Sequence, residues 1–250
     1  MNLNTLRWAI SLCLILQSIG CGKLTDLSTS KISLSQTCGA SPDQLGSFMA
    51  PVESNSIEIK VDSRFSLEQK QSINEAIALW NDQTLSLGKG KILHPRVVEM
   101  TSAFLSTQPT QCTESFATPS SFPLVMEHDP NRWASLGLNK RIPGATFRCT
   151  QDQSVLVQQW VSIYPAFVDA TQFKTVVIHE LGHALGLDHS CINQGGLPDF
   201  KACAEIPGSH DYAKAVMYPS LSANRLPSGK FETKESLRNN DLVRSACLYE

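Results

Sequence analysis

From residue 56 onward the spacing of apolar side chains changes period several times. In SIEIKV, Ile57, Ile59 and Val61 fall at every second position, the repeat of a half-buried strand. The next segment, SLEQKQSINEAIALWND, shifts to Ile73, Ala76, Ile77 and Trp80, spaced i, i+3, i+4 and i+7, so one helical face points at a core. Ser66 and Gln69 stand where a capping box would open that helix. Further strands are predicted at 91–100, 122–128, 144–149 and 157–165. Between the first two lies TSAFLSTQPTQCTESFATPSS, predicted as a surface loop pinned by Cys112. A second helix is predicted to begin at Asp169 or Thr171, with Phe173, Val176, Val177, Leu181, Ala184 and Leu185 as its apolar positions.

Upstream of these elements the pattern is different. Arg7 precedes the apolar run Trp8 to Leu16, which is too short to cross a bilayer but suits the hydrophobic stretch of an export signal. Ile19-Gly20-Cys21 resembles the end of a bacterial lipoprotein signal, with Ser18 where that signal usually has Leu; otherwise the signal is an ordinary cleaved one and Cys21 is incidental. Gly22 after the cysteine implies sorting to the outer membrane, with the protein facing the periplasm or the exterior, or else simple secretion. The segment after it is rich in Ser and Thr and reads as a tether. The division expected is therefore a signal peptide at 1–20, an anchor cysteine and tether at 21–50, and one folded domain at 51–250.

Composition narrows the partners. With 21 Lys and Arg against 23 Asp and Glu, the net charge of -2 gives no reason to expect nucleic acid. Setting aside Cys13 and Cys21, six of the eight cysteines remain: Cys38, Cys112, Cys149, Cys191, Cys203 and Cys247. In an exported protein an even count suggests disulfides, and no C-x-x-C spacing argues for a cysteine metal site. Proximity pairs Cys191 with Cys203; Cys112 with Cys149 and Cys38 with Cys247 complete the expected set.

The second helix carries the chemistry. Residues 179–190 read HELGHALGLDHS. His179 and His183 are separated by about 40° around a helix and about 6 Å along it, so both imidazoles project from one face. On a continued helix His189 would be out of reach, and Gly186 stands where a left-handed turn would bring it back. Three imidazoles match the tetrahedral preference of zinc and leave a fourth position for water, while Glu180, about 100° away, is placed as a general base. The chance of H-E-x-x-H-x-x-G-x-x-H in a chain of this length is about one in ten thousand.

These residues resemble the zinc motif of the metzincin peptidases, and HELGHALGLDHS is similar to their matrixin branch, including Ser190. AVMYPS (Ala215 to Ser220) resembles the Met-turn, which implies Met217 beneath the zinc site. Pro219 favours the matrixin branch, leaving Tyr218 structural. LRNNDLVRSACLYE resembles the matrixin final helix, L-S-x-D-D-I-x-G-I-Q-x-L-Y-G, with Asn240 and Asp241 at the paired-acid positions. The resemblance implies an α+β fold: a twisted, mostly parallel sheet with an antiparallel edge strand near 144–150, packed on two long helices, plus a small C-terminal subdomain with the Met-turn and final helix. It implies an extended substrate beside that edge strand, with SLSANRLP after the Met-turn helping to form a substrate pocket.

Departures from the family matter too. Only His94 and His128 lie upstream of the zinc helix, so neither calcium nor a structural zinc is expected. The interval from His189 to Met217 is longer than usual and holds Cys191 and Cys203, suggesting a stapled loop at the cleft's edge. TCGASPD resembles the inhibitory segment of matrixin propeptides, but its spacing is altered and it lacks the Arg, so latency through Cys38 is not expected. The reading is a monomeric, exported, membrane-anchored zinc metalloendopeptidase with one catalytic zinc, acting on protein or peptide. Its rivals are a non-catalytic zinc-containing binding protein and a zinc hydrolase of cell-wall peptides.

Overall fold

The computed structural model describes residues 51–88, 92–100, 118–139, 142–151, 155–191, 202–219 and 233–249. Five strands form one sheet in the order β2-β1-β3-β5-β4, comprising β1 (Ser56–Asp62), β2 (Ile92–Val98), β3 (Ser121–Met126), β4 (Gly144–Gln151) and β5 (Val155–Ile163). Every pairing is parallel except β4 with β5, so β4 is the antiparallel edge that the sequence predicts. Pro95 is tolerated in β2 because that strand is the opposite edge, where one lost backbone donor breaks no pairing with another strand among the described residues.

One face of the sheet carries α1 (Leu67–Ser86) and α3 (Ala170–Leu185). The period-two residues Ile57, Ile59 and Val61 meet Ile73, Ala76, Ile77 and Trp80 of α1 and Val177, Ile178 and Leu181 of α3 in one buried cluster. The capping box that opens α1 is formed, with Ser66 Oγ accepting from Gln69 N and Gln69 Oε1 accepting from Ser66 N. Trp80 ties the helices together, since its Nε1 donates to Ile178 O at 2.9 Å. Burying the indole costs little because its donor is satisfied.

The other face of the sheet packs under α2 (Pro130–Ser135). Trp133, Phe147, Trp160 and Tyr164 form a second apolar cluster there, with Phe147 and Trp160 stacked at 4.8 Å. The alternation of β4 divides its residues. Ala145, Phe147 and Cys149 enter this second cluster, and Gly144 and Thr146 face α3. The sequence reading did not include α2: six residues are too few to show a helical period, although Asp129 caps its N-terminus and Pro130 opens it.

After α3 come the short α4 (Asp211–Lys214) and the final α5 (Asn239–Tyr249). Among the described residues no helix is long and apolar enough to cross a membrane. Cys191 and Cys203 are joined as expected. Cys149 and Cys247 are also disulfide-bonded; their expected partners, Cys112 and Cys38, lie outside the described residues, as do the signal, Cys21 and the tether.

Candidate metal centre

The site is built by the end of α3 and by what meets it from below. Asp169 caps the helix, its carboxylate accepting from Thr171 N, and Gly186 ends it at φ 115°. That conformation is open to glycine without steric cost, and Leu187 N closes the turn by donating to Gly182 O at 2.9 Å. The chain therefore leaves the helix axis at Gly186 and returns His189 to the face that carries His179 and His183. Ligand atoms of the three imidazoles all lie within 4.8 Å of one another.

Two of the rings are oriented by carbonyls. His179 Nδ1 is 2.7 Å from Val216 O, and His183 Nδ1 is 2.7 Å from Leu187 O. A carbonyl only accepts, so Nδ1 carries the proton in both and the Nε2 lone pairs are left for another purpose. His179 Nε2 is buried with no hydrogen-bond partner, an arrangement that costs stability unless a cation completes it. Burial, reinforced by the neighbouring His183, holds the His179 pKa well below its ordinary value, which keeps the imidazole neutral as a ligand must be. Three imidazole nitrogens at this separation, with the His179 ring held neutral by burial and its Nε2 orphaned, fit a zinc ion.

Glu180 is fully buried beside the triad. Thr146 Oγ1, reaching from β4, lies 2.8 Å from Glu180 Oε2 and 2.9 Å from its backbone oxygen, so the carboxylate is anchored to the edge strand. Gly144 on the same strand leaves the room this requires. A Cβ there would lie 2.7 Å from Val176 Cγ1 and 2.9 Å from both Glu180 Cγ and Oε1.

Met217 lies against the helix from beneath, as the sequence implies. A Cβ on Gly182 would stand 2.3 Å from Met217 Sδ, so glycine inside the helix is what admits the thioether. Ser190 N donates to Met217 O at 2.8 Å and Ser190 Oγ to Tyr212 O at 2.8 Å, which gives the serine after the third histidine a structural task. The turn is held from the other side by Asp241, whose carboxylate accepts from Val216 N at 2.8 Å, Met217 N at 3.1 Å and Arg238 N at 3.0 Å. Burial raises the Asp241 pKa, and these three bonds and Arg244 oppose that rise. Lys234 adds a second anchor, its Nζ donating to Ala213 O at 2.7 Å and Ala215 O at 2.6 Å, over the Tyr218 ring.

All six residues expected in the catalytic region are thus brought together: His179, Glu180, His183, Gly186, His189 and Met217. Sequence reasoning missed Gly144, Thr146 and Gly182, and left Asp241 as a pattern match without a task. A glycine in the middle of an apolar helix was the available signal for Gly182; nothing local marks Thr146.

Comparison with known proteins agrees with this geometry. A family model described as Matrixin matches residues 60–197, more than half of the chain. None of the curated proteins compared matches. Among solved structures, the chain is similar to high choriolytic enzyme 1, a hatching enzyme zinc-protease from Oryzias latipes (medaka fish), at 15% identity and a TM-score of 0.36, covering 86% of this chain and 96% of that one. Myroilysin is similar at 13% identity and a TM-score of 0.37, covering 80% of this chain and 97% of that one. With TM-scores this low, neither likeness bears on function. The matched segment takes in the end of β1, the other four strands, both long helices and the histidine motif, and the chain belongs to the matrixin family of zinc metallopeptidases.

Proposed function

We propose that this chain is a zinc-dependent endopeptidase in which His179, His183 and His189 hold one zinc ion and Glu180 is the general base. The observation that carries the reading is the convergence of three imidazoles within 4.8 Å beside a carboxylate held in place by Thr146. Bound zinc would lower the pKa of a water molecule and polarise the scissile carbonyl. Glu180 takes the proton of the attacking water and passes it to the leaving amine. Thr146 Oγ1 keeps the carboxylate turned toward that task. Gly144 and Thr146 lie on an edge strand of the sheet among the described residues, where an extended peptide adds a strand through backbone hydrogen bonds, so one strand aligns both substrate and base.

The test is cleavage of an unfolded protein by the native chain and by Glu180→Ala, each loaded with zinc. The variant should retain the metal and lose activity by several orders of magnitude; equal cleavage would overturn the mechanism. Purified peptidoglycan offered in parallel separates a general endopeptidase from a cell-wall hydrolase, and strict preference for peptidoglycan would overturn the substrate class. We also propose export with a lipid on Cys21, a reading that rests on the Trp8 to Leu16 run and is in keeping with the Cys191–Cys203 disulfide. Cys21→Ser should release the protein from membranes, and unchanged membrane association would count against the anchor.

A further inference from the structure

His189 is the ligand supplied by a loop, and its support differs from that of the two helical histidines. Its backbone N–H donates to Asp188 Oδ1 at 2.8 Å, and the same oxygen lies 4.0 Å from its Nδ1. Asp188 is itself buried. Arg244, reaching from α5 and wholly buried, donates from Nη2 to Asp188 O at 2.7 Å. Arg148, buried on β4, brings a second cation whose charge also acts on Asp188. Burial lowers both guanidinium pKa values to about 10, so both remain charged at neutral pH. In the final-helix pattern quoted above, glycine stands where this chain has Arg244.

Two buried guanidiniums are a costly way to gain stability, since each loses its hydration and recovers it only through well-placed partners. Their placement does achieve something that apolar packing would not. Arg244 bonds the carbonyl of the residue before His189, and the two positive charges oppose the Asp188 carboxylate that accepts from His189 N. The loop is thus gripped from the final helix at Asp188, before the third ligand, just as Ser190 after it is held by Met217 O and Tyr212 O.

We infer that Arg244 is a positioning residue for the third metal ligand, acting through Asp188 to fix His189 relative to the two helical histidines. This rests on the reading of His189 as a zinc ligand. It makes metal affinity depend on a helix that contributes no ligand.

The experiment uses the full chain with Arg244→Met, which removes the charge and keeps the length, and Asp188→Asn, which keeps the shape. Zinc affinity is measured by competition with a chromophoric chelator, and ligand geometry by the visible spectrum of the cobalt-substituted protein. Circular dichroism confirms folding. Each variant should bind zinc about 10-fold to 100-fold more weakly and show an altered cobalt spectrum. A folded Arg244→Met with native zinc affinity and native spectrum overturns the inference. If Arg244→Met does not fold, native affinity in Asp188→Asn overturns it instead. A native chain whose zinc affinity is unchanged by His189→Ala defeats the metal-centre reading itself, a result distinct from a native centre that ignores Arg244.

Discussion

Gly182→Ala sets two effects of opposite sign against each other inside α3. In an open helix interior, alanine stabilises by about 0.5–1 kcal/mol relative to glycine. Here the added Cβ would lie 2.3 Å from Met217 Sδ and 3.0 Å from Trp80 Cζ2. Both neighbours are fully buried, so neither can swing into solvent. Overpacking of a well-filled core costs about 1–3 kcal/mol, and a contact this far inside van der Waals separation falls in the upper part of that range. The net effect is a loss of about 1–2 kcal/mol. For a domain of this size that corresponds to a Tm lower by roughly 2–8 °C, measured with zinc saturating so that metal linkage is held constant. Met217→Ala alone should cost about 2–5 kcal/mol through the cavity it leaves. Combined with Gly182→Ala, it should cost less than the sum by about 1 kcal/mol or more, because the new methyl then occupies vacated space. A Gly182→Ala protein as stable as the parent, or strict additivity in the double variant, would refute the packing of glycine against the Met-turn.

Thr146→Val should lower kcat about 10-fold with zinc content unchanged, the equivalent of losing a hydrogen bond of about 1.5 kcal/mol to Glu180; unaltered steady-state kinetics would remove Thr146 from the mechanism. Asp241→Ala strands the backbone donors of Val216, Met217 and Arg238 and should cost about 3–5 kcal/mol in urea unfolding, with a loss under 1 kcal/mol contradicting its role as the anchor of the turn. The Cys191→Ala, Cys203→Ala pair opens a short loop, the bonded cysteines being 12 residues apart, and should destabilise by about 3 kcal/mol; an unfolding midpoint equal to that of the oxidised parent would contradict it.

The histidine motif could be read from sequence because its information is local. A spacing of four and a glycine three residues later are instructions to a single helix and its cap, and α3 carries them out without outside help. The period-two pattern of SIEIKV and the capping box at Ser66 are local in the same sense. Thr146 is different: it faces Glu180 because β4 pairs antiparallel with β5, and a one-residue slip would turn it to the aromatic cluster on the other face. Arg148 and Arg244 sit within a strand and a helix where charge ordinarily marks the solvent side, so their burial became visible only in the folded chain. The task of Gly182 is set by Met217, a residue far along the chain that no window around the helix includes. Proximity in sequence did identify one disulfide correctly, because a short loop offers few alternatives.

The Met-turn also sets an order in time. His179 takes its tautomer from the carbonyl of Val216, and Val216 is held by a carboxylate at Asp241. A chain emerging from its N-terminus presents all three histidines well before either of those residues has appeared. Without Asp241, the turn that orients the first imidazole and seats the methionine beneath it loses the carboxylate that holds it. The motif is therefore complete as sequence long before it is competent as a site.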